Sequence, residues 1–206
     1  FAKDHYDIKI LYYITPKVWA WKKSRLKKIK KYIDHAALIL PFEEKIYKKA
    51  EIQSTYVGNP LLDEYSENMP KTLLSSDHLS SNDKDSIIIG LLPGSRKAEI
   101  KNLLDVMIKA ANLIYQRNKK INFIISKASS IKREVLETQF KKNRTDFIFQ
   151  ITEGPVKDIF LKSDLLIAAS GTVTLEASLC CVPTIIVYKM SAVSYWMAKL
   201  FVKVKY

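Results

Sequence analysis

Two short segments combine the residue types that hold phosphate. In Leu92-Pro93-Gly94-Ser95-Arg96-Lys97-Ala98-Glu99-Ile100, a glycine, a hydroxyl and an arginine follow an apolar run and open a helical pattern. A glycine lets the backbone approach a ligand closely, Ser95 can cap the helix while donating to an anion, and the free amides of a helix start favour negative charge. Arg96 adds a bidentate donor suited to phosphate oxygens. In Ala168-Ala169-Ser170-Gly171-Thr172-Val173-Thr174-Leu175-Glu176-Ala177, a second apolar run turns through Ser-Gly-Thr into a helix and makes a second anion nest. Glu176 stands about one turn into that helix, where a carboxylate can accept from a ribose diol. Taken singly, each segment also fits a plain capped turn, with Arg96 solvated and Glu176 structural. Two such loops at the ends of two strands of one sheet strengthen each other and describe a nucleotide-diphosphate pocket. Neither matches G-x-x-x-x-G-K-[ST] or G-x-G-x-x-G.

The elements that must position these loops follow from periodicity. From residue 87 onward, apolar runs without polar alternation are spaced by helical patterns: strands at 87–92, 121–126, 147–151, 165–169 and 184–188, with helices near 98–117, 131–142, after Pro155, 172–181 and 192–202. This is the pattern of a parallel sheet covered on both faces, with its site at the carboxyl ends of the strands. Residues 87–206 therefore make a Rossmann-like lobe. Upstream, strands at 8–14, 36–40 and 55–58 alternate with helices near 24–34 and 42–50, the end of a preceding α/β lobe over residues 1–64. Residues 65–86 are polar and aperiodic, as a linker is.

Composition narrows the class. The 206 residues are 48% hydrophobic and 27% charged, which suits a folded domain with a sizeable core and suits neither disorder nor a fibrous repeat. No apolar run reaches the ~18 residues that span a bilayer. The chain starts without Met and stops without a polar tail, so the sequence has the look of a fragment. Adjacent Cys180 and Cys181 fit small core residues in a reducing compartment better than a bridge or a metal site. His5, His35 and His78 stand apart, without ligand spacing. The net charge of +13 calls for an anionic partner, whether nucleic acid, lipid or phosphorylated substrate. No nucleic-acid module is recognisable, and the two anion loops suit a small diphosphate better.

A specific resemblance then emerges. Tyr12-Tyr13-Ile14-Thr15-Pro16-Lys17-Val18-Trp19-Ala20-Trp21-Lys22 closely resembles the tyrosine- and tryptophan-rich signature of the lipid-A-disaccharide synthases (glycosyltransferase family 19). Leu40-Pro41-Phe42-Glu43, Tyr56-Val57-Gly58-Asn59-Pro60-Leu61, the Leu92 to Ile100 loop, Ser170 to Glu176 and Tyr195-Trp196-Met197-Ala198-Lys199 follow in that family's order. The resemblance implies a two-lobed α/β fold of the GT-B type and transfer of 2,3-diacylglucosamine from UDP-2,3-diacylglucosamine to 2,3-diacylglucosamine 1-phosphate, with inversion and release of UDP, in lipid A synthesis. It implies that Gly94, Ser95, Arg96 and Glu99 with Ser170, Gly171, Thr172 and Thr174 surround the nucleotide sugar, and that Glu176 holds the ribose. It implies no metal and no cofactor, since helix starts and Arg stabilise the leaving diphosphate. The family's Gly-rich loop and general base would lie upstream of Phe1 and a further Ser-Leu-Pro-Asn stretch beyond Tyr206, so the fragment itself is expected to be inactive. Two rival readings stay open: another UDP-N-acetylhexosamine enzyme of the same fold, either a transferase or a 2-epimerase, and a non-catalytic membrane-binding remnant.

A membrane surface is the other expected partner, which would put the protein in the cytoplasm, peripheral on the inner face of the inner membrane. Lys17, Lys22, Lys23, Arg25, Lys27, Lys28, Lys30 and Lys31 crowd beside Trp19 and Trp21, and Leu26, Ile29 and Ile33 give that helix one apolar face. A basic amphipathic segment with Trp suits an anionic lipid interface; a helix packing its stripe on the sheet with solvated lysines fits the same pattern. The second contact expected with membrane or acyl chains is Tyr195 with Trp196, in a stretch too apolar for an ordinary surface helix.

Overall fold

The computed structural model describes residues 2–6, 8–18, 24–68, 86–190 and 195–196. They fall into two compact units that meet in sequence between Glu64 and Tyr65, with Tyr195 and Trp196 grouped in the first unit and Met190 closing the second.

In the first unit, α1 (Ala2–His5), β1 (Leu11–Tyr13), α2 (Arg25–Tyr32), β2 (His35–Leu38), α3 (Glu43–Lys49) and β3 (Ser54–Tyr56) follow one another, and α4 (Pro60–Asn68) begins. The strands form a parallel sheet in the order β1-β2-β3. The expected strand at 8–14 is paired only over Leu11–Tyr13, because the ladder lasts only where β2 lies alongside, from Leu11↔His35 to Tyr13↔Ala37. Ahead of it the Ile10 carbonyl instead accepts the Asp34 and His35 amides. The stripe of α2 settles on this sheet: Ile29 is buried, and Leu26 and Ile33 pack against the cluster formed with Val18, Ala36, Leu38, Tyr47 and Ile52. Lys27, Lys28, Lys30 and Lys31 face water, so the apolar face of this helix is spent on the core. The Asp34 carboxylate binds the Lys3 ammonium and accepts the Ile10 amide at 2.8 Å. Those two bonds hold its pKa below the ordinary value.

In the second unit, β4 (Ile87–Leu92), α5 (Lys97–Arg117), β5 (Ile121–Lys127), α6 (Arg133–Lys142), β6 (Phe149–Glu153), α7 (Lys157–Lys162), β7 (Leu165–Ala169), α8 (Thr172–Leu179) and β8 (Thr184–Val187) alternate strictly. All five strands are parallel, in the order β6-β5-β4-β7-β8. Helix α5 buries Ile100, Leu103, Leu104, Met107, Ile108 and Ala111, a run at helical spacing, against Ile89, Leu91, Phe123 and Ile125 of the sheet. Each of the buried leucine, isoleucine and methionine side chains is worth about 1.5–3 kcal/mol. At the far side, Phe140 stacks on Phe149 at 4.1 Å and Phe123 tilts against Phe147 at 4.5 Å. That cluster explains a displaced boundary: Phe147 is apolar because it plugs the core, and the strand expected at 147–151 starts two residues later. At one edge of the sheet, Ile185 and Ile186 of β8 are more than half exposed. Residues 69–85 of the expected linker, and most of the apolar helix expected at 192–202, lie outside the described residues, while residues 65–68 continue α4. Among the described residues no helix is long and apolar enough to cross a membrane.

Candidate functional site

Strands β4 and β7 are neighbours at the middle of the five-stranded sheet, and the chain leaves them toward opposite edges: β4 leads to β5 and β6, β7 to β8. At such a switch point the loops at the carboxyl ends diverge and leave a crevice. A cavity of about 640 Å³ opens there, walled by the loops after β4, β5, β6 and β7 and by the first turns of α8. Gly94, Ser95, Arg96, Glu99, Ser170, Gly171, Thr172 and Glu176 all line it, so both segments singled out from sequence meet in one space. Thr174 does not line it; its hydroxyl turns back to the Gly171 carbonyl at 2.7 Å and secures the first turn of α8.

The loop after β4 differs in detail from the expectation. Arg96, not Ser95, is the N-cap residue of α5, with extended dihedrals. The cap acceptor is Glu99, three residues into the motif. Its Oε2 accepts the Ser95 amide at 3.0 Å and the Arg96 amide at 3.2 Å, while Oε1 accepts the Arg96 guanidinium at 3.0 Å. Arg96 carries no side-chain acceptor, so the opening amides are served from within the helix, as in the second half of a capping box. Gly94 has φ +102°, and a Cβ there would collide with the Glu99 carboxylate. The chain's own carboxylate therefore sits where backbone donors and a guanidinium converge, the constellation that also recognises phosphate. Ser130, from the loop after β5, steadies this turn by donating to the Ser95 carbonyl at 2.8 Å.

On the other side, Gly171 is the N-cap residue of α8 in an extended conformation with open space around its Cα. The first turn leaves amides without intrahelical acceptors, and Ser170 and Thr172 are exposed beside them. Glu176 is fixed by a residue that sequence patterning assigned to a linker: the Tyr65 hydroxyl, on a side chain only 4% exposed, donates to Glu176 Oε2 at 2.7 Å. The ammonium of Lys157 lies 5.4 Å from the Tyr65 ring centre.

Two further polar residues of the cavity carry no motif in the sequence. Lys127, the last residue of β5, and Glu153, the last of β6, are paired across the ladder and joined by an ion pair of 3.3 Å. Both line the cavity. The available signal was the small polar run Ser126-Lys127-Ala128-Ser129-Ser130 after a buried strand and the Glu153-Gly154-Pro155 turn, each at a carboxyl end. Trp19 and Trp21 lie outside the described residues; Tyr195 and Trp196 are exposed, with their rings edge-on at 6.4 Å. Among the described residues no group of His, Cys, Asp or Glu could hold a metal ion.

Two nests on adjacent strands thus open into one cavity. A family model described as lipid-A-disaccharide synthetase matches residues 2–206. The chain belongs to that family. The lipid-A-disaccharide synthase of Coxiella burnetii (strain Dugway 5J108-111) is 34% identical over 202 residues, 97% of this chain and 51% of that protein. That of Nitrosococcus oceani is 36% identical over 207 residues, 96% of this chain and 50% of that one. The chain thus spans about half the length of the curated relatives it matches. Among solved structures, a UDP-N-acetylglucosamine 2-epimerase superposes with a TM-score of 0.57 at 15% identity, over 95% of this chain and 59% of that one. The S. aureus MnaA-UDP co-structure gives 0.54 at 14% identity, over 80% and 46%. At those identities the likeness shows the fold, the Rossmann-like α/β architecture of the GT-B type, and the 2-epimerases share this fold with a chain whose family is that of the synthetases.

Proposed function

We propose that this chain is the nucleotide-sugar-holding portion of a lipid-A-disaccharide synthase, which moves 2,3-diacylglucosamine from UDP onto 2,3-diacylglucosamine 1-phosphate and releases UDP. The observation that carries the proposal is the convergence of the Gly94–Arg96 and Ser170–Thr172 loops on one cavity at the switch point of the sheet. In the transfer, an acceptor hydroxyl attacks the anomeric carbon, the bond from that carbon to the diphosphate breaks, and its electron pair stays on the departing UDP. The negative charge that develops there is met by the first-turn amides of α8, by the Ser95 and Arg96 amides and by the Arg96 guanidinium, which act without rearranging a solvent shell. For these last donors the diphosphate takes the place of the Glu99 carboxylate, whose role is to keep the loop folded between turnovers. Glu176, held by Tyr65, accepts from the ribose, and Thr174 holds the turn that presents Ser170 to Thr172. No residue of the cavity is assigned as the base.

The acylated substrates place the enzyme at the inner face of the inner membrane, peripheral and facing the cytoplasm. The support is the outward-facing lysine row of α2, together with the exposed Tyr195 and Trp196 as an interfacial or acyl-chain contact, and Trp19 and Trp21 are proposed to share that role. Because the stripe of α2 is buried, attraction to anionic lipid through the lysines, not insertion of that helix, would carry the contact. Sedimentation with anionic vesicles should fall when Lys27, Lys28, Lys30 and Lys31 are neutralised; unchanged sedimentation sinks the membrane assignment.

The catalytic proposal is tested by UDP release from UDP-2,3-diacylglucosamine, with and without acceptor, in a folded chimera where this chain replaces the matching half of the Coxiella burnetii relative. Release that requires the acceptor and drops in Arg96→Ala supports it. A folded chimera that binds UDP but never releases it in an acceptor-dependent way, beside an active parent, rules the transferase reading out.

A further inference from the structure

The cavity has two ends of different chemistry. Toward β4 and β7, backbone amides at two helix starts, hydroxyls and the Arg96 guanidinium converge around the Glu99 and Glu176 carboxylates, a surplus of donors that suits an anion. Toward β5 and β6 it presents an ammonium and a carboxylate side by side. Among the described residues Lys127 is the one buried lysine, its side chain 8% exposed. Its Nζ donates to the Ile131 carbonyl at 2.9 Å and pairs with Glu153 Oε2 at 3.3 Å. An ammonium has three protons, so among the described residues one has no partner, on a side chain that lines the cavity. Glu153, 56% exposed, keeps acceptor capacity on the same wall. An isolated buried lysine would select a phosphate; beside Glu153, and away from the helix-start amides that back the Arg96–Glu99 pair, the two charges of this pair sum to none. A donor and an acceptor about 3 Å apart instead match a neutral group that offers an acceptor beside a donor at hydrogen-bonding separation. The imide edge of a pyrimidine, a carbonyl next to a ring N–H, is such a group.

We infer that Lys127 and Glu153 form the base-reading end of the cavity, the ammonium donating to a ring carbonyl of uracil and the carboxylate accepting the adjacent ring N–H. The inference rests on the UDP reading of the site. It adds two specificity-determining residues that the phosphate loops do not supply: the loops fix the diphosphate, which every nucleotide diphosphate shares, and the Lys127–Glu153 pair supplies contact with the part that differs. Burial explains why a pair on the rim of a cavity can discriminate. Leaving Lys127 unmatched against a poorly fitting base strands a donor where water reaches poorly.

The test compares UDP with 3-methyl-UDP, which lacks the imide N–H but keeps ribose and diphosphate, by titration calorimetry on the unaltered protein and on Glu153→Gln and Glu153→Ala. Glu153 is exposed enough for these variants to fold, and circular dichroism with a melting curve verifies it. The unaltered protein should prefer UDP by about tenfold or more, as expected for loss of a hydrogen bond to a charged group, and Glu153→Ala should bring that ratio near one while pyrophosphate binds all three proteins alike. Lys127→Met should weaken UDP and 3-methyl-UDP together without altering pyrophosphate. An identical UDP preference in Glu153→Ala, or equal binding of both ligands by the unaltered protein, overturns the base-reading role and leaves the nucleotide site standing. No binding of UDP at all by the unaltered protein overturns the nucleotide reading and this inference with it.

Discussion

Replacing Arg96 with alanine separates binding from stability, because the structure assigns that residue almost no structural work. Its guanidinium is 82% exposed, and among the described residues its one side-chain partner is Glu99 at 3.0 Å. An exposed ion pair of this kind contributes about 0.2–1 kcal/mol. The cap of α5 does not depend on it, since the Glu99 carboxylate would still accept the Ser95 and Arg96-position amides. Thermal unfolding should therefore shift by no more than about 4 °C. A charge-assisted contact to a diphosphate is worth about 1.5–3 kcal/mol, so the UDP dissociation constant should rise by roughly ten- to 150-fold. Calorimetric titration with UDP and a melting curve on the same sample measure both. Glu99→Gln provides the counterpart: the amide oxygen can still cap the helix, but the competing charge is gone, so UDP should bind at least as tightly as before. A Kd for Arg96→Ala within threefold of the parent, or a melting shift above about 8 °C, would refute the assignment of Arg96 as a ligand-facing donor.

Tyr65→Phe should cost about 1 kcal/mol of stability by freeing Glu176 and should shrink the preference for UDP over 2′-deoxy-UDP; an unchanged preference would detach Glu176 from the ribose. The two cysteines should differ sharply toward iodoacetamide. Burial pushes the Cys180 thiol up while Cys181 is exposed, so mass spectrometry at pH 8 should find one alkyl group added quickly and the second only on unfolding. Asp34, held low by the Lys3 ammonium and then the Ile10 amide, stabilises the fold above the ordinary carboxylate range and loses that contribution as pH falls through its depressed folded value. Asp34→Asn should therefore melt earlier than the parent at pH 7, with the gap closing below about pH 4; a gap independent of pH would mean the carboxylate is not involved.

The alternation of apolar strands with helices from residue 87 onward was legible because a parallel sheet buried on most of its surface needs unbroken apolar runs, and Ile87–Leu92, Ile121–Lys127 and Leu165–Ala169 are of that kind. The two phosphate loops were legible for the related reason that turns at carboxyl ends leave a local mark in Gly, Ser and Thr. What was missed depends on distance in sequence. Tyr65 reaches Glu176 across 111 positions, and nothing local distinguishes it from the polar stretch that follows. Lys127 and Glu153 come together only through strand register. The cap of α5 was assigned to Ser95 by residue type, but the Glu99 side chain took both amides, and Arg96 took the N-cap position. Phe147 misled the placement of β6 because core plugs and strand residues share a composition.

The pairing of β4 with β7 has a kinetic consequence. The two strands that carry the phosphate loops are joined by contacts such as Ile88 with Asp164, 76 positions apart, and the whole run from α5 to α7 lies in the intervening chain. Closing a loop of that length is a late and entropically costly event in folding. Each nest is a local turn, but the cavity the two share cannot be assembled from a local segment, so the ability to bind nucleotide should emerge only when the entire second unit is in place. A ligand held there clamps the longest-range strand pairing of the site, and at a hundred times its dissociation constant it would raise the stability of that unit by about 2.7 kcal/mol. Hydrogen exchange with and without UDP should thus slow most in β4 and β7, at the centre of the sheet, and not only in the loops that touch the ligand.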